Sequence, residues 1–264
     1  MIESVIAFLV AFFTSQAGIS GAFLLLPIQI SLLGITSPMA SSTNLAYNLI
    51  AIPSGVYRYR KEGRFLPELA VSILAGSIPG IVLGSLLRID FMPESVFKKF
   101  VGIVLLYFGF RLVIARKRRY DIGEVRIVKR SLIRMEFEFG GKTFSFSPPI
   151  ITGLSFLIGI VAGAYGVGGG ALITPLLVTT FGLPIYVTAG ATLLSTFVSS
   201  SVGVVSYTIM GYPPNLRLAF LFGIGGFAGM YCGARMQRKM SEKAVRIMLA
   251  FLVFALAFRY LLNS

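Results

Sequence analysis

The chain of 264 residues contains no histidine, no tryptophan and a single cysteine, Cys232, and only 13% of its residues are charged. Each shortage narrows what the protein can do. Without histidine no Ser/His/Asp or Cys/His set can be assembled, and no HExxH segment exists, so a hydrolase or metalloprotease has little support. One cysteine forms no internal disulfide and builds no cysteine-rich metal centre. Acidic residues are scarce as well, and Glu3, Glu62, Glu68, Asp90, Glu94 and Glu242 all fall at the ends of apolar runs or in loops. The carboxylate or histidine relay that carries protons through a membrane is therefore missing. The sequence reads as a non-enzyme that needs no cofactor and no metal.

What remains is apolar. Hydrophobic residues make up 56% of the chain and the mean hydropathy is +0.85, whereas a soluble domain carries about a quarter charged residues. This is the composition of a polytopic membrane protein, placed here in the cell membrane. The net charge of +14 could suggest nucleic acid, but the basic residues sit in short clusters at the ends of apolar runs, which is the positive-inside pattern. The N-terminus is a poor signal peptide, because Glu3 is its only charge and no basic stretch precedes residues 6–13.

The stretch Gly163-AYGVGGGALIT-Pro175 is the organising feature. Gly166, Gly168, Gly169 and Gly170 fall within five residues, and each glycine costs about 1 kcal/mol against alanine inside a helix. The helix should break there. In hydrocarbon a break survives only where it is buried in protein or lines a watery cavity, so the break is a site candidate. The stretch also occurs twice. At a spacing of 148, Gly18 matches Gly166, Gly21 matches Gly169, and the register continues through Gly34/Gly182, Leu45/Leu193, Gly55/Gly203, Tyr59/Tyr207 and Gly63/Gly211. After one residue of slippage, Gly80 and Gly84 fall on Gly229 and Gly233.

Residues 2–33 form an apolar zone interrupted at 14–21. As one helix it would be roughly 48 Å long, beyond a core of about 30 Å and short of two spans, so two short helices that dip in and return are expected. Ordinary spans follow near 38–57, 67–87 and 96–114. The second copy repeats the plan, with a broken pair at 150–181 and spans near 186–210, 216–234 and 244–262. Basic clusters place the loops after 57 and 114 in the cytoplasm. In the second copy the bias reverses, with Arg235, Arg238, Lys239, Lys243 and Arg246 crowding the other loop. Both facts hold together if each copy crosses an odd number of times and the copies are inverted; a parallel pair of four-span units is the alternative. The expected fold is all-α, with two inverted-topology repeats, each a broken re-entrant helix pair plus three full transmembrane helices. Residues 1–115 form the first repeat, 116–148 a basic cytoplasmic linker and 149–264 the second repeat.

Residues 116–147 carry nine Lys/Arg and four Asp/Glu, and RMEFEFGGKTFSFS alternates apolar and polar residues around Gly140 and Gly141. A two-residue Gly-Gly loop accepts the positive φ angles of a tight turn, which predicts a small cytoplasmic β-hairpin, read as a solvated connector, with a regulatory or dimerising role as the alternative.

Polar residues inside the membrane cluster on the two matched helices: Ser41, Ser42, Thr43, Asn44 and Asn48, then Thr188, Thr192, Ser195, Thr196 and Ser199 to Ser201. Asn44 falls on Thr192 and Asn48 on Thr196, four residues apart on one helix face. Small polar residues also pack membrane helices closely, but a buried amide needs several partners. Neutral hydroxyls, amides and the N–H groups at helix starts suit an anion. The candidate substrate-binding set is Gly18, Gly21, Gly166, Gly168, Gly169 and Gly170, which shape the breaks, with Ser20, Asn44, Asn48, Thr192 and Thr196 hydrogen-bonding the anion. GVGGG is no phosphate loop, because no Lys-Ser/Thr follows it.

With its weaker partner GISGAFLLLPIQ, the segment GVGGGALITPLL resembles the sulfite exporter TauE/SafE family, membrane proteins with two homologous halves. ASSTNLAYNL and TAGATLLSTF, where that family has Gly-Thr-Ser-Leu-like segments, and the basic turn YRYRKEG extend the likeness over nearly the whole chain outside residues 116–147. The resemblance implies transport of sulfite, organosulfonates such as sulfoacetate, or other small anions. The chain departs from the pattern where Ser20 and Ala22 stand opposite Gly168 and Gly170, and in its long basic middle. The expected activity is anion transport by alternating access at a midplane site between the repeats. A passive anion channel, or a receptor or assembly subunit using the basic insert, stays open beside it. The implied partners are a small anionic substrate and membrane lipid, with a homodimer open and nucleic acid disfavoured.

Overall fold

The computed structural model describes residues 2–16, 19–114, 124–236 and 242–262. In chain order they form α1 (Ile2–Gln16), α2 (Ala22–Leu33), α3 (Pro38–Lys61), α4 (Pro67–Phe91) and α5 (Glu94–Ile114), then β1 (Arg126–Lys129), β2 (Met135–Phe139) and β3 (Lys142–Phe146). The helices α6 (Pro148–Tyr165), α7 (Thr174–Thr179), α8 (Ile185–Ile209), α9 (Leu216–Met236) and α10 (Glu242–Leu262) complete the order. Pro38, Pro67 and Pro148 open their helices, where a missing N–H removes nothing the helix uses.

The chain is a polytopic membrane protein of mostly helical structure. By length and composition α4, α6, α8 and α9 can cross a membrane. The helix α3 is as long but carries buried Ser41, Ser42, Thr43, Asn44 and Asn48, with Arg58, Arg60 and Lys61 in its last turn. The broken pairs are not alike. The first has 15 and 12 residues, close to the two short helices expected. The second is unequal, with 18 residues in α6 and six in α7, because the apolar run before Gly166 is unbroken and the glycines consume the start of what would be α7.

The two halves pack on each other rather than on themselves. Along α9, Gly225, Gly229 and Gly233 lie against the backbone of Ser4, Phe8 and Phe12 in α1. Along α4, Gly76, Gly80 and Gly84 lie against Thr152, Phe156 and Ile160 in α6. Subtracting 148 turns Thr152, Phe156 and Ile160 into Ser4, Phe8 and Phe12, so one interface is built twice with the halves exchanged. Both pairs run parallel, since residue numbers rise together. The matched helices α3 and α8 run antiparallel instead: Leu45 meets Gly203 while Leu193 meets Gly55, each contact being the repeat image of the other. Antiparallel packing also joins α5 to α10, where Gly102 meets Leu261 and Gly109 meets Phe254. The tyrosines follow suit. Tyr59 donates to the Ser15 carbonyl at 3.2 Å and Tyr207 to the Gly163 carbonyl at 2.9 Å, the same bond 148 residues apart.

Close approach is what the glycines supply. A Cβ on Gly76 would lie 2.0 Å from the Thr152 carbonyl oxygen, and one on Gly225 would lie 1.9 Å from that of Ser4. Membrane helices pack through such small residues because lipid offers no hydrophobic drive to bring them together.

Residues 124–147 correct the sequence reading twice. The expected hairpin is present, with Gly140 and Gly141 at φ 57° and 69° and β2 paired antiparallel with β3, but β1 adds a third strand beside β2. Nor is the sheet a solvated connector. Alternation in MEFEF puts Met135, Phe137 and Phe139 on one face, and with Phe146 they are buried against Leu66, Leu69, Ile151, Leu177 and Val187 at the ends of α4, α6, α7 and α8. Arg130 pairs with Glu68 at 2.9 Å, and the Val125 N–H donates to the Gly63 carbonyl at 3.2 Å. The strand pattern showed which face was apolar but not that helix ends would cover it.

Candidate functional site

Asn48 is where the two breaks meet. Its side-chain amide donates to the Val167 carbonyl of the second break at 2.9 Å and to Ser200 Oγ of α8 at 3.0 Å. Its carbonyl accepts from the hydroxyl of Ser20 in the first break. One turn earlier, Asn44 donates to the Ala22 carbonyl at 2.7 Å and to the Gly166 carbonyl at 2.8 Å, and its own Oδ1 accepts from Gln29 Nε2 of α2 at 3.3 Å. Every one of these side chains is buried, at 0% exposure for Ser20, Gln29, Asn44, Asn48 and Ser200. An unpaired buried polar group costs about 1–3 kcal/mol, so the network holds the breaks against each other.

The second break needs its glycines for two separate reasons. Gly166 and Gly168 adopt φ of 85° and 82°, a region that costs an L side chain about 1–2 kcal/mol. Gly169 and Gly170 are held by proximity: added Cβ atoms would lie 2.2 Å from Ser77 Cβ and 2.1 Å from the Thr192 carbonyl oxygen. The Gly169 N–H donates to Ser199 Oγ at 2.9 Å. In the first break Ser20 uses its side chain locally, accepting from the Ala22 N–H at 3.2 Å, while Gly21 leaves room for the Tyr47 hydroxyl, which would stand 2.4 Å from a Cβ there.

Of the residues nominated from sequence, Ser20, Gly21, Asn44, Asn48, Gly166, Gly168, Gly169 and Gly170 are gathered in one buried centre. Thr192 and Thr196 line it from α8 but spend their hydroxyls on their own helix, donating to the carbonyls of Thr188 at 2.9 Å and Thr192 at 2.7 Å. Gly18 lies outside the described residues. Gln29 was missed. The signal was a lone amide in the apolar helix AFLLLPIQISLL, opposite Leu177 in the second copy, whereas glycine spacing drew attention to the break alone. Ser199 and Ser200, noted among the polar residues of the matched helix but left out of the candidate set, accept two of the bonds.

Two arginines are also buried near the helix ends. Arg64 stacks over Tyr59 at 4.8 Å and Tyr186 at 5.7 Å and pairs with Glu62. Arg88 donates to the carbonyls of Met92 and Thr36, each at 2.6 Å, and lies 3.5 Å from the centre of the Phe97 ring. It lines a cavity of about 590 Å³ with Thr36, Asp90, Glu94 and Tyr212. The sequence offered only their charge.

Apolar helices closing on a buried polar centre, where discontinuous helices present backbone carbonyls to amide side chains, are an arrangement that membrane transporters use. The chain belongs to the family described as Sulfite exporter TauE/SafE, which matches residues 4–260. Among its relatives, a Bacillus subtilis (strain 168) protein named "Probable membrane transporter protein YunE" is 26% identical over 213 residues, 80% of this chain and 76% of that one. The Arabidopsis thaliana "Sulfite exporter TauE/SafE family protein 6" is 31% identical over 112 residues, 42% of this chain and 24% of its own length. Family protein 5 of the same plant is 35% identical over 86 residues, 33% of this chain and 19% of its own. No solved structure matches the chain.

Proposed function

We propose that the protein carries a small anion, sulfur-containing or organic, across the cell membrane by alternating access at the centre where the two breaks meet. The observation that carries this reading is the role of Asn44 and Asn48. Their amide groups donate four hydrogen bonds, three of them to carbonyls of the breaks at Ala22, Gly166 and Val167. Separating the breaks frees those donors, and an anion replaces the carbonyls as acceptor. The arrangement seen is then the closed one, with Ser20, Ser199, Ser200, Thr192 and Thr196 beside the amides and the glycines allowing the approach.

An inverted pair of repeats supports alternating access, because exchanging their conformations exchanges the open sides. Antiparallel packing of α3 on α8 and of α5 on α10 favours that relation over a parallel one. A re-entrant path for α6 and α7 is favoured by Ile151, Leu177 and Leu183 sharing one apolar cluster, which brings the end of α7 back to where α6 began. The end bearing Arg58, Arg60, Lys61 and the sheet faces the cytoplasm by the positive-inside rule. The names of the relatives favour sulfite among the anions, and sulfoacetate shares its acceptor chemistry.

The test is flux into proteoliposomes of sulfite, sulfoacetate and acetate. Saturable anion uptake is expected, reduced at least tenfold by Asn48→Ala with helical content retained. Uptake that never saturates would select a passive channel instead, and full activity of Asn48→Ala would remove the breaks from the site.

A further inference from the structure

The hydrogen bonds at the centre fix which way each amide faces. The carbonyls of Ala22 and Gly166 only accept, so Asn44 turns its Nδ2 to them. That leaves Asn44 Oδ1 toward Gln29, and Gln29 must present Nε2 to it. Gln29 Oε1 is then left without a donor, on a side chain at 0% exposure. Flipping Gln29 would set two carbonyl oxygens against each other and strand its N–H groups instead. The orphan acceptor is therefore a consequence of the whole chain of bonds from the two breaks, and it stands one residue away from the amide that clasps them.

The bond to Asn44 calls only for the donor half of this amide, and helix packing calls for neither half, since the matched position in the second copy is Leu177 and belongs to an apolar cluster. An acceptor facing no protein donor cannot serve an anion's oxygens. It can serve a donor on the same ligand.

We infer that Gln29 is a specificity-determining residue whose Oε1 accepts a hydrogen bond from an O–H or N–H group of the transported species, so that the site selects small anions bearing a donor over anions that have none. The inference rests on the anion-transport reading of the centre. Asn44 and Asn48 provide donors to the anionic end once the breaks part, and Gln29, on α2, provides the acceptor for the other end. A hydroxyalkanesulfonate satisfies both, as does sulfite in its singly protonated, O–H-bearing form; an alkanesulfonate, or sulfoacetate as the dianion, leaves Gln29 unpaired. Sites built to bond a substrate hydroxyl reject the analogue that lacks it.

The experiment compares 2-hydroxyethanesulfonate with ethanesulfonate, as choline salts, by thermal stabilisation of the full-length purified protein and of Gln29→Leu. Wild type should bind the hydroxylated anion at least tenfold more tightly, and Gln29→Leu should bind the two within about twofold of each other, because the acceptor that tells them apart is gone, while the Nε2 bond to Asn44 that is lost with it affects both anions alike. The melting curve without ligand confirms that Gln29→Leu is folded, and Gln29→Met, of similar length, repeats the measurement if it is not. Equal binding of both anions by wild type, or a preference that survives in both variants, overturns the role of Gln29 and leaves anion transport standing. Stabilisation by sodium chloride but not choline chloride, lost in Gln29→Leu, overturns it in favour of a monovalent cation. Absence of stabilisation by either anion in wild type removes the anion reading itself, and this inference with it.

Discussion

Adding one methyl group at Gly80 should separate two helices that belong to different halves of the chain. A Cβ there would lie 2.4 Å from the Phe156 carbonyl oxygen and 2.9 Å from the Gly159 Cα, against about 3.3 Å for the closest comfortable C···O approach. The side of α6 that meets Gly80 is backbone, which cannot rotate away, so α6 must retreat by roughly 1 Å along its length. Forcing a methylene into a packed contact costs about 1–3 kcal/mol, and alanine's helix propensity returns about 1 kcal/mol, leaving a net loss of up to about 2 kcal/mol. Gly153 on α6 is the control, since an added Cβ meets nothing within 4 Å; Gly153→Ala should be neutral or stabilising by up to about 1 kcal/mol. The repeat makes a sharper demand. Gly229 faces the Phe8 carbonyl at 2.2 Å, so Gly229→Ala should lose what Gly80→Ala loses, within about 1 kcal/mol. Unfolding of the detergent-solubilised protein by heat or by increasing SDS measures all three. Gly80→Ala as stable as Gly153→Ala would show that the approach of α4 and α6 is not set by these contacts, and a loss at Gly80 alone would break the equivalence of the two interfaces.

Phe137→Ala removes the centre of the buried sheet face, a side chain at 1% exposure stacked on Phe144 at 5.5 Å; a loss of about 3–4 kcal/mol should appear as faster hydrogen exchange in residues 135–146, and unchanged exchange would mean the sheet is held elsewhere. Deleting residues 119–147 should lower the melting temperature as well as remove the insert, because it uncovers Leu66, Leu69, Ile151 and Leu177; an unaltered melting curve would return the insert to the role of a solvated connector. For Arg88→Met, loss of two charge-assisted bonds to carbonyls predicts a cost of roughly 3 kcal/mol, checked by thermal unfolding, with wild-type stability counting against the bonds to Thr36 and Met92. Pro27 and Tyr165 make a coupled pair. Proline gives α2 no N–H for the Phe23 carbonyl, and Tyr165 supplies the donor at 2.9 Å; Tyr165→Phe should cost about 1–3 kcal/mol in wild type and little in a Pro27→Ala background, and equal costs in both would refute the pairing.

Much of this was legible because the duplication writes each structural requirement twice. Gly34/Gly182 and Gly63/Gly211 have positive φ at both members of each pair, and Leu45/Leu193 and Gly55/Gly203 exchange partners across the α3–α8 contact. A single copy would have shown scattered glycines. The fixed spacing distinguished those needed for geometry, and the break residues followed from the same count. What the sequence did not show were contacts that the repeat does not duplicate. β1 carries only four residues, and Ile127 alone of them is partly covered, so its pairing depends on β2 being present. The buried face of the sheet depends on helix ends more than sixty positions away on one side. Gln29 left no periodic trace at all.

That last omission marks where the halves have parted chemically while keeping their packing. On the packing surfaces the exchange is nearly complete, because backbone meeting backbone depends only on the absence of a side chain. At the centre it fails in one direction: α3 offers amides at positions 44 and 48, while α8 offers threonines that bond to their own helix. A hydroxyl has one proton, and Thr192 and Thr196 have spent theirs; each amide has two, and of these four bonds three reach across to the opposing break or to α8 while one, from Asn44, holds Ala22 of its own half. The second break can therefore afford to be nearly all glycine, being held from outside by Asn44 and Asn48. The first retains Ser20, whose hydroxyl must complete Asn48 from below. One half holds and the other is held. If the breaks part during transport, the donors released belong to the first half and the carbonyls released belong mainly to the second, so the polar lining of the opened site should be unequal although the scaffold is symmetric.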